Sequence, residues 1–408
     1  KKFSSFLSSL NLLSFGLCFL SAVLLILAQP KFDFWFLSWV GLIPMLFALE
    51  GKTARQAFGW GYVCGTLFFA GTVYWLIFMS STAGIPLFLS ALAMVLGVLY
   101  LAVYFGLFAW GVAFFQKKTL IEKLFLYPGL WVALEFIRER FVLGFGWVSL
   151  GHSQYKVLPL IQIADVTGVF GVSFLVVLVN YFLKELILFL RERKTHARVP
   201  GLKTACVLVV FFLIVTLGYG FVRLRSSASS PVLKVAIIQP NVDQQIKWYP
   251  QAWPVILKKC MMLTEAAAKA SPDIIIWPET SFPGFLWDAP ERLDQVKALA
   301  ARLRIPLLFG AVTKQEGKEN YYNSAILLTR EGEVAQKHHK LQLVPFGEYI
   351  PLRKFIPILG AIIPVADFSP GKDLTLFPVS GGQKSQGETK GYFSVLICFE
   401  DTLAPVAR

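Results

Sequence analysis

Charge is what this sequence has least of: only 16% of its residues are Asp, Glu, Lys or Arg, against roughly a quarter in ordinary soluble domains. Cysteine is scarce too, five residues in all with no CxxC spacing, so neither a disulfide framework nor a zinc site is signalled. Histidine is rarer still, at four, and no His/Cys/Asp cluster has ligand spacing, so no metal or cofactor is implied. The adjacent His338 and His339 read as lining a loop. Basic residues outnumber acidic ones by 39 to 25, but they sit mostly between apolar segments, where membrane topology accounts for them and a nucleic-acid partner is not needed.

What is abundant is apolar: 56% of the 408 residues are hydrophobic and mean hydropathy is +0.60. The long runs nearly all fall before residue 223, and the remainder has the composition of a soluble domain. Two units follow: a membrane domain over 1–222 and a catalytic domain over 232–408, joined by a linker at 223–231. A bilayer core needs about 20 mostly apolar residues per helix. Seven segments qualify: Phe6 to Ala28, Phe34 to Leu49, Ala57 to Met79, Pro86 to Phe115, Leu124 to Phe136, Gly168 to Leu190 and Lys203 to Phe221. Alternate loops differ in charge. One set holds Lys1, Lys2, Lys52, Arg55, Lys117, Lys118, Lys123, Arg191, Arg193, Lys194, Arg198 and Lys203; the other holds only Lys31, Arg138, Arg140 and Lys156. The asymmetry puts the N-terminus inside and, after seven crossings, the second half outside, which in a bacterium is the periplasmic face of the inner membrane.

The long outer loop from Arg138 to Asp165 carries Gly144-Phe145-Gly146-Trp147, then His152 and Gln154. Its aromatics suit either an interfacial belt or a face toward substrate. Glu135, Arg138 and Glu139 read as end charges that snorkel, with an ion pathway as the less common alternative. Cys18, Cys64 and Cys206 lie in apolar helices and read as small buried hydrophobes.

From Pro231 onward, short β-branched runs alternate with helical patterns, the signature of an α/β layered domain. Lys234 to Ile238, Ile274 to Trp277, Leu307 to Gly310, Ala325 to Leu328 and Phe393 to Cys398 read as strands. Gln251 to Ala270 and Pro290 to Leu303 read as helices. Three places break the pattern chemically. Glu279 follows the apolar strand in Trp277-Pro278-Glu279-Thr280, Lys340 precedes Leu343-Val344-Pro345-Phe346-Gly347-Glu348-Tyr349, and Cys398 sits in Ile397-Cys398-Phe399-Glu400-Asp401. Strand ends are where sites form in α/β sheets. A thiol needs a base and a cation to become a nucleophile.

These three motifs, in this order behind a multi-helix membrane domain, closely resemble the apolipoprotein N-acyltransferase family, membrane members of the nitrilase superfamily. The resemblance spans nearly the whole chain and implies an αββα sandwich. It implies a catalytic triad of Glu279, Lys340 and Cys398, supporting roles for Glu348, Glu400, Phe399 and Asn323, and substrate contacts at Trp147 and Tyr349. Phe399 stands where the family usually has tyrosine. The family also continues beyond the point where this sequence stops, so the catalytic domain is expected to be incomplete at its C-terminal side. The implied reaction moves an acyl chain from a phospholipid, phosphatidylethanolamine by expectation, through a thioester on Cys398 to the N-terminal amine of a diacylated apolipoprotein. The apolar, basic-edged stretch from Ile350 to Phe368, with Ile362 and Ile363, reads either as a lid dipping into lipid or as a buried helix. Two other functions compete: a membrane-tethered amidase or nitrilase acting on small molecules, and a non-catalytic partner of a polyprenol-phosphate sugar transferase.

Overall fold

The computed structural model describes residues 12–78, 86–141, 144–192, 200–226, 233–244, 246–314, 320–345, 347–350, 367–380 and 389–403. The chain divides into two compact units, Lys1–Ser227 and Ala228–Arg408. Phe6 to Asn11 of the first apolar segment, Met79 of the third and Arg193, Lys194 and Arg198 fall outside the described residues, as do Ile362 and Ile363.

The first unit is helical. Its main helices are α1 (Leu12–Ala28), α2 (Ala54–Thr72), α3 (Leu87–Phe114), α4 (Leu120–Arg140), α5 (Val169–Glu192) and α6 (Leu202–Arg225). Local chemistry sets two of the starts. Thr53 and Gln56 form a capping box at α2, and Thr119 and Glu122 form one at α4, each satisfying N–H groups that the first turn leaves free. Close approach of α2 to α3 depends on glycine: a Cβ on Gly61 would lie 2.5 Å from the Phe105 carbonyl oxygen. Trp131 of α4 closes the same core edge-on against Phe105 and Phe108.

Among the described residues, Leu87–Phe114, Val169–Arg191 and Leu202–Arg225 are long and apolar enough to cross a membrane. They also show apolar side chains outward: Leu92, Val95 and Leu96 on α3, and Val207, Phe211, Ile214 and Val222 on α6, are all exposed. Helices apolar on both the packed and the open face suit lipid as solvent, and the chain is a membrane protein. All seven apolar segments are helical where described, but the second is broken into short helices, Trp35–Leu37, Ser38–Gly41 and Ile43–Ala48. Pro44 opens the last of these, a position where its missing N–H costs nothing. Buried side chains take up the backbone groups freed by the break. Asn180 Oδ1 accepts from Leu42 N at 2.8 Å, Asn180 Nδ2 donates to the Ser38 carbonyl at 2.8 Å, and Gln154 Nε2 donates to the Trp35 carbonyl at 2.9 Å.

Two expectations for this unit are corrected. Glu135, Arg138 and Glu139 do not snorkel; they are 4%, 3% and 6% exposed. The loop that follows supplies the partners of Arg138, and that loop together with the helix itself supplies those of Glu135. Arg138 donates to the carbonyls of Phe145 and Trp147 and to Ser149 Oγ, and Glu135 Oε1 accepts from Trp131 Nε1 and Leu150 N. Cys206 is exposed while Cys18 and Cys64 are buried, because α6 packs along part of its circumference and leaves the rest open.

In the second unit, strands β1 (Val235–Ile237), β2 (Ile274–Ile276), β3 (Leu307–Lys314), β4 (Tyr321–Leu328) and β5 (Val334–His339) form one mixed sheet in that order. β1, β2 and β3 pair parallel, and β3, β4 and β5 antiparallel. The parallel pairs need crossover connections, and helices α7 (Trp253–Ala268) and α8 (Pro290–Leu303) provide them. One face of the sheet packs on these helices through Ile275, Leu307, Phe309, Leu293 and Val296. The other face, through Ile274, Leu308 and Leu327, packs against Phe377 and Phe393 of a two-stranded hairpin, β6 (Phe377–Ser380) and β7 (Thr389–Phe393). Three layers of the expected sandwich, helix, sheet and second sheet, are thus present among the described residues.

The strand expected over Phe393 to Cys398 ends at Phe393. Ile397 N is held by Glu400 Oε2 at 2.7 Å, so the backbone turns into a short 3-10 helix, Cys398–Thr402, instead of extending a ladder. β5 and β6 escape the sequence reading; Val-Ala-Gln-Lys-His-His is a polar edge strand, mostly exposed, with no apolar run to announce it.

Candidate active site

Glu279 leaves the sheet just after β2, in a turn that bends tightly around β3. Thr280 has φ +45°, a left-handed backbone that is a true outlier for a β-branched residue. The bend is possible because residue 310 is glycine: a Cβ there would lie 2.5 Å from Thr280 N and 2.7 Å from Glu279 Cα. Gly310→Ala is therefore expected to displace the Glu279 turn and lower activity by about 10²-fold, the scale of a 1 Å misplacement, with the five-stranded sheet still formed. Activity measurements beside far-ultraviolet circular dichroism check it.

Lys340 follows β5 and is 1% exposed. Its backbone N–H donates to the Asn323 carbonyl on β4 at 2.9 Å, and its carbonyl accepts from Gly371 N at 2.7 Å. The ammonium lies 2.9 Å from Glu348 and 3.8 Å from Glu279 Oε1. Asn323 Nδ2 completes the set, donating to Glu279 Oε1 at 2.7 Å and to Glu348 Oε1 at 2.9 Å. Two carboxylates are thus gathered on one ammonium and one amide, and Glu348 is fixed further by Val344 N at 2.9 Å. Charges held this way are displaced from water only because each has a partner.

Cys398 opens the 3-10 turn with φ +58°, which lifts its side chain out of the extended run before it, and the residue is exposed. Its thiol is pushed up from the ordinary value. Burial of the sulfur is the main cause and the Glu279 charge adds to it, while Lys340 and the Phe399 N–H oppose. The shift keeps the free thiol protonated, with the Glu279 carboxylate near enough to bear on it. The Lys340 ammonium also lies 5.8 Å from the Phe399 ring centroid.

Glu400, which is fully buried, joins the two halves of the site. Its Oε1 accepts from Leu341 N at 2.7 Å and Gln342 N at 3.0 Å, directly after Lys340, while Oε2 accepts from Ile397 N directly before Cys398. Tyr349 is half-buried beside Glu348, and burial pushes its hydroxyl up. Trp147 belongs to the first unit, edge-on to Trp75 and Phe145. Among the described residues, no group of three His, Cys, Asp or Glu side chains has metal-binding geometry.

The structure thus brings Glu279, Lys340, Glu348, Asn323, Cys398 and Glu400 into one network in the second unit. It adds a residue the sequence reading passed over: Lys247 donates to the Glu279 carbonyl at 3.2 Å and to Thr280 Oγ1 at 2.6 Å. A lysine between Ile246 and Trp248 in a loop carries no pattern that would single it out. What the network can do chemically is generate a thiolate and stabilise an oxyanion beside it.

Comparison with known proteins follows the same division. Residues 21–182 match the apolipoprotein N-acyltransferase N-terminal domain, and residues 234–408 match the carbon-nitrogen hydrolase domain. An apolipoprotein N-acyltransferase of Geobacter metallireducens is 36% identical over 95% of this chain and 73% of its own length; one from Vibrio vulnificus is 31% identical over 85% and 67%. Among solved structures, an amidase from Nesterenkonia sp. is 18% identical over 43% of this chain and 59% of its own, with a TM-score of 0.29, too distant to add to these matches. With both domains matched in order and the relatives aligned over most of the sequence, the chain belongs to the apolipoprotein N-acyltransferase family.

Proposed function

We propose that this protein transfers an acyl chain from a phospholipid, with phosphatidylethanolamine as donor, to the N-terminal amine of a diacylated apolipoprotein, through a thioester on Cys398. The observation that carries the reading is Cys398, in a left-handed backbone, next to the buried Lys340 ammonium that Glu279 and Glu348 share. Glu279 takes the thiol proton as sulfur attacks the ester carbonyl. Lys340 and the Phe399 N–H stabilise the oxyanion, one such donor typically contributing about 3 kcal/mol. As the tetrahedral intermediate collapses, the ester C–O bond breaks and Glu279 returns its proton to the lysophospholipid oxygen. In the second half, the acceptor amine attacks the thioester, Glu279 takes its proton, and C–N bond formation expels the Cys398 thiolate, which recovers that proton. Asn323 and Glu348 keep Glu279 and Lys340 at their stations throughout.

The membrane domain supports this reading physically, because a long-chain phospholipid reaches a protein from the bilayer. We place the protein in the bacterial inner membrane, with about seven crossings and the catalytic domain on the periplasmic side, on the Lys/Arg asymmetry of its loops. The full-length protein in detergent, mixed with acyl-labelled phosphatidylethanolamine, is expected to carry label on Cys398 that neutral hydroxylamine removes. No label on correctly folded protein would sink the phospholipid-to-cysteine step. Label that passes to small amines or water as readily as to a lipopeptide amine would replace the acceptor.

A further inference from the structure

We infer that Lys247 is a positioning residue for cysteine acylation, holding in place the strained turn that carries Glu279. The inference rests on the proposed reading of Glu279 as the base. Lys247 sits in a loop after β1 whose own backbone is anchored, with Ile246 N and Lys247 N both donating to the Asp243 carbonyl at 3.2 and 3.1 Å. From that anchor the ammonium reaches the Glu279 turn. It donates to the Glu279 carbonyl at 3.2 Å and to Thr280 Oγ1 at 2.6 Å. The turn needs such a grip. Thr280 is held at φ +45°, and a residue in a sparsely populated conformation persists only where its surroundings over-determine it.

β3 supplies one constraint, through the close pass of Gly310. Lys247 supplies another, through the Glu279 carbonyl and the Thr280 hydroxyl. Asn323 and Lys340 fix the Glu279 carboxylate, but neither holds its backbone. The choice of lysine is not explained by a general need for a surface cation. Its ammonium is partly withdrawn from water, and that burial pushes it down from the ordinary lysine value while the Glu279 charge opposes the shift. A side chain buried at that cost and spent on one carbonyl and one hydroxyl is doing geometric work on the turn.

The test uses the full-length protein in detergent and reads single-turnover acylation of Cys398 from labelled phosphatidylethanolamine across lipid concentrations. Lys247→Met, Thr280→Val and the double variant are compared with Glu279→Gln. Lys247→Met is expected to slow acylation at saturating lipid by ~30- to 100-fold, near the effect of a 1 Å misplacement, with the half-saturating lipid concentration within about twofold of wild type. Thr280→Val keeps the shape of the side chain and removes the hydroxyl acceptor; it is expected to slow acylation about tenfold. The double variant should be no slower than Lys247→Met, because both changes break one linkage. Multiplying effects, a loss confined to half-saturating lipid, or an unchanged rate would each overturn the inference. If Lys247→Met does not fold, Thr280→Val decides alone, an unchanged rate counting against. Glu279→Gln separates the two levels. If it acylates at the wild-type rate, the base assignment itself fails; if it is inactive while Lys247→Met is normal, only the positioning role is lost.

Discussion

Glu279→Gln is expected to abolish acyl transfer while making Cys398 more reactive toward a small alkylating agent. The two effects separate because the glutamate acts on the thiol in two ways. As a base it accepts the proton during attack, a role worth 10²–10⁴-fold in general, so loss of about 10³-fold or more is expected. As a standing negative charge it disfavours thiolate, adding to the effect of burial, and Lys340 works against both. Removing the Glu279 charge therefore lowers the thiol's titration point and raises the thiolate fraction at fixed pH. Removing the Lys340 charge does the reverse. Alkylation by iodoacetamide across pH should show an inflection above the ordinary thiol value of 9.0 in the wild type, displaced downward in Glu279→Gln and upward in Lys340→Met. Acyl transfer should be lost in both variants. Equal inflections in all three proteins would mean that neither charge faces the sulfur, and the triad would have to be redrawn.

Replacing Glu400 by alanine should cost about 3–5 kcal/mol of stability in the catalytic domain, since a buried acceptor is removed from three backbone donors together. Three backbone N–H groups, on Leu341, Gln342 and Ile397, lose their acceptor at once. Two of these directly follow Lys340 and the third directly precedes Cys398, so the loss should appear in activity before it appears as global unfolding. Glu400→Gln keeps one carbonyl oxygen and should retain part of the stability, with a smaller fall in acylation rate. Thermal denaturation in detergent, read alongside acylation of Cys398 for both variants, checks the pair. A Glu400→Ala protein with wild-type melting and turnover would show that the cysteine turn is held by something other than this carboxylate.

Much of the chemistry was legible in the sequence because it was local. Trp277-Pro278-Glu279-Thr280 puts an acid at the end of an unmistakable apolar strand, and Cys398 follows another apolar run. Apolar segments likewise announce helices from neighbouring residues alone. Position along the chain, however, says nothing about which end charges are wet. Arg138 counted as a loop cation by sequence, yet the carbonyls of Phe145 and Trp147 fold back on it and bury it. The broken helix at Leu42 was also invisible, since the groups that satisfy it, Asn180 and Gln154, lie more than a hundred residues away.

The sequence by itself determined the division into a membrane unit and an α/β unit and the order of the three motifs, while the roles of base, cation and nucleophile came from the family resemblance and stand as proposals. Hydropathy and strand-end chemistry are read over a few residues, and they need no knowledge of what packs against what. Only the tertiary structure decided how those residues are held. It ended the last strand at Phe393 so that Cys398 could turn out with φ +58°, passed β3 against the Glu279 turn at Gly310, and brought Asn323, Glu348, Glu400 and Lys247 from separate elements and loops. The contacts of Asn323 and Lys247 with the Glu279 turn, and of Glu400 with Leu341, join residues 44, 32 and 59 positions apart, and a hydrogen bond across such a distance leaves no periodicity in the chain to read.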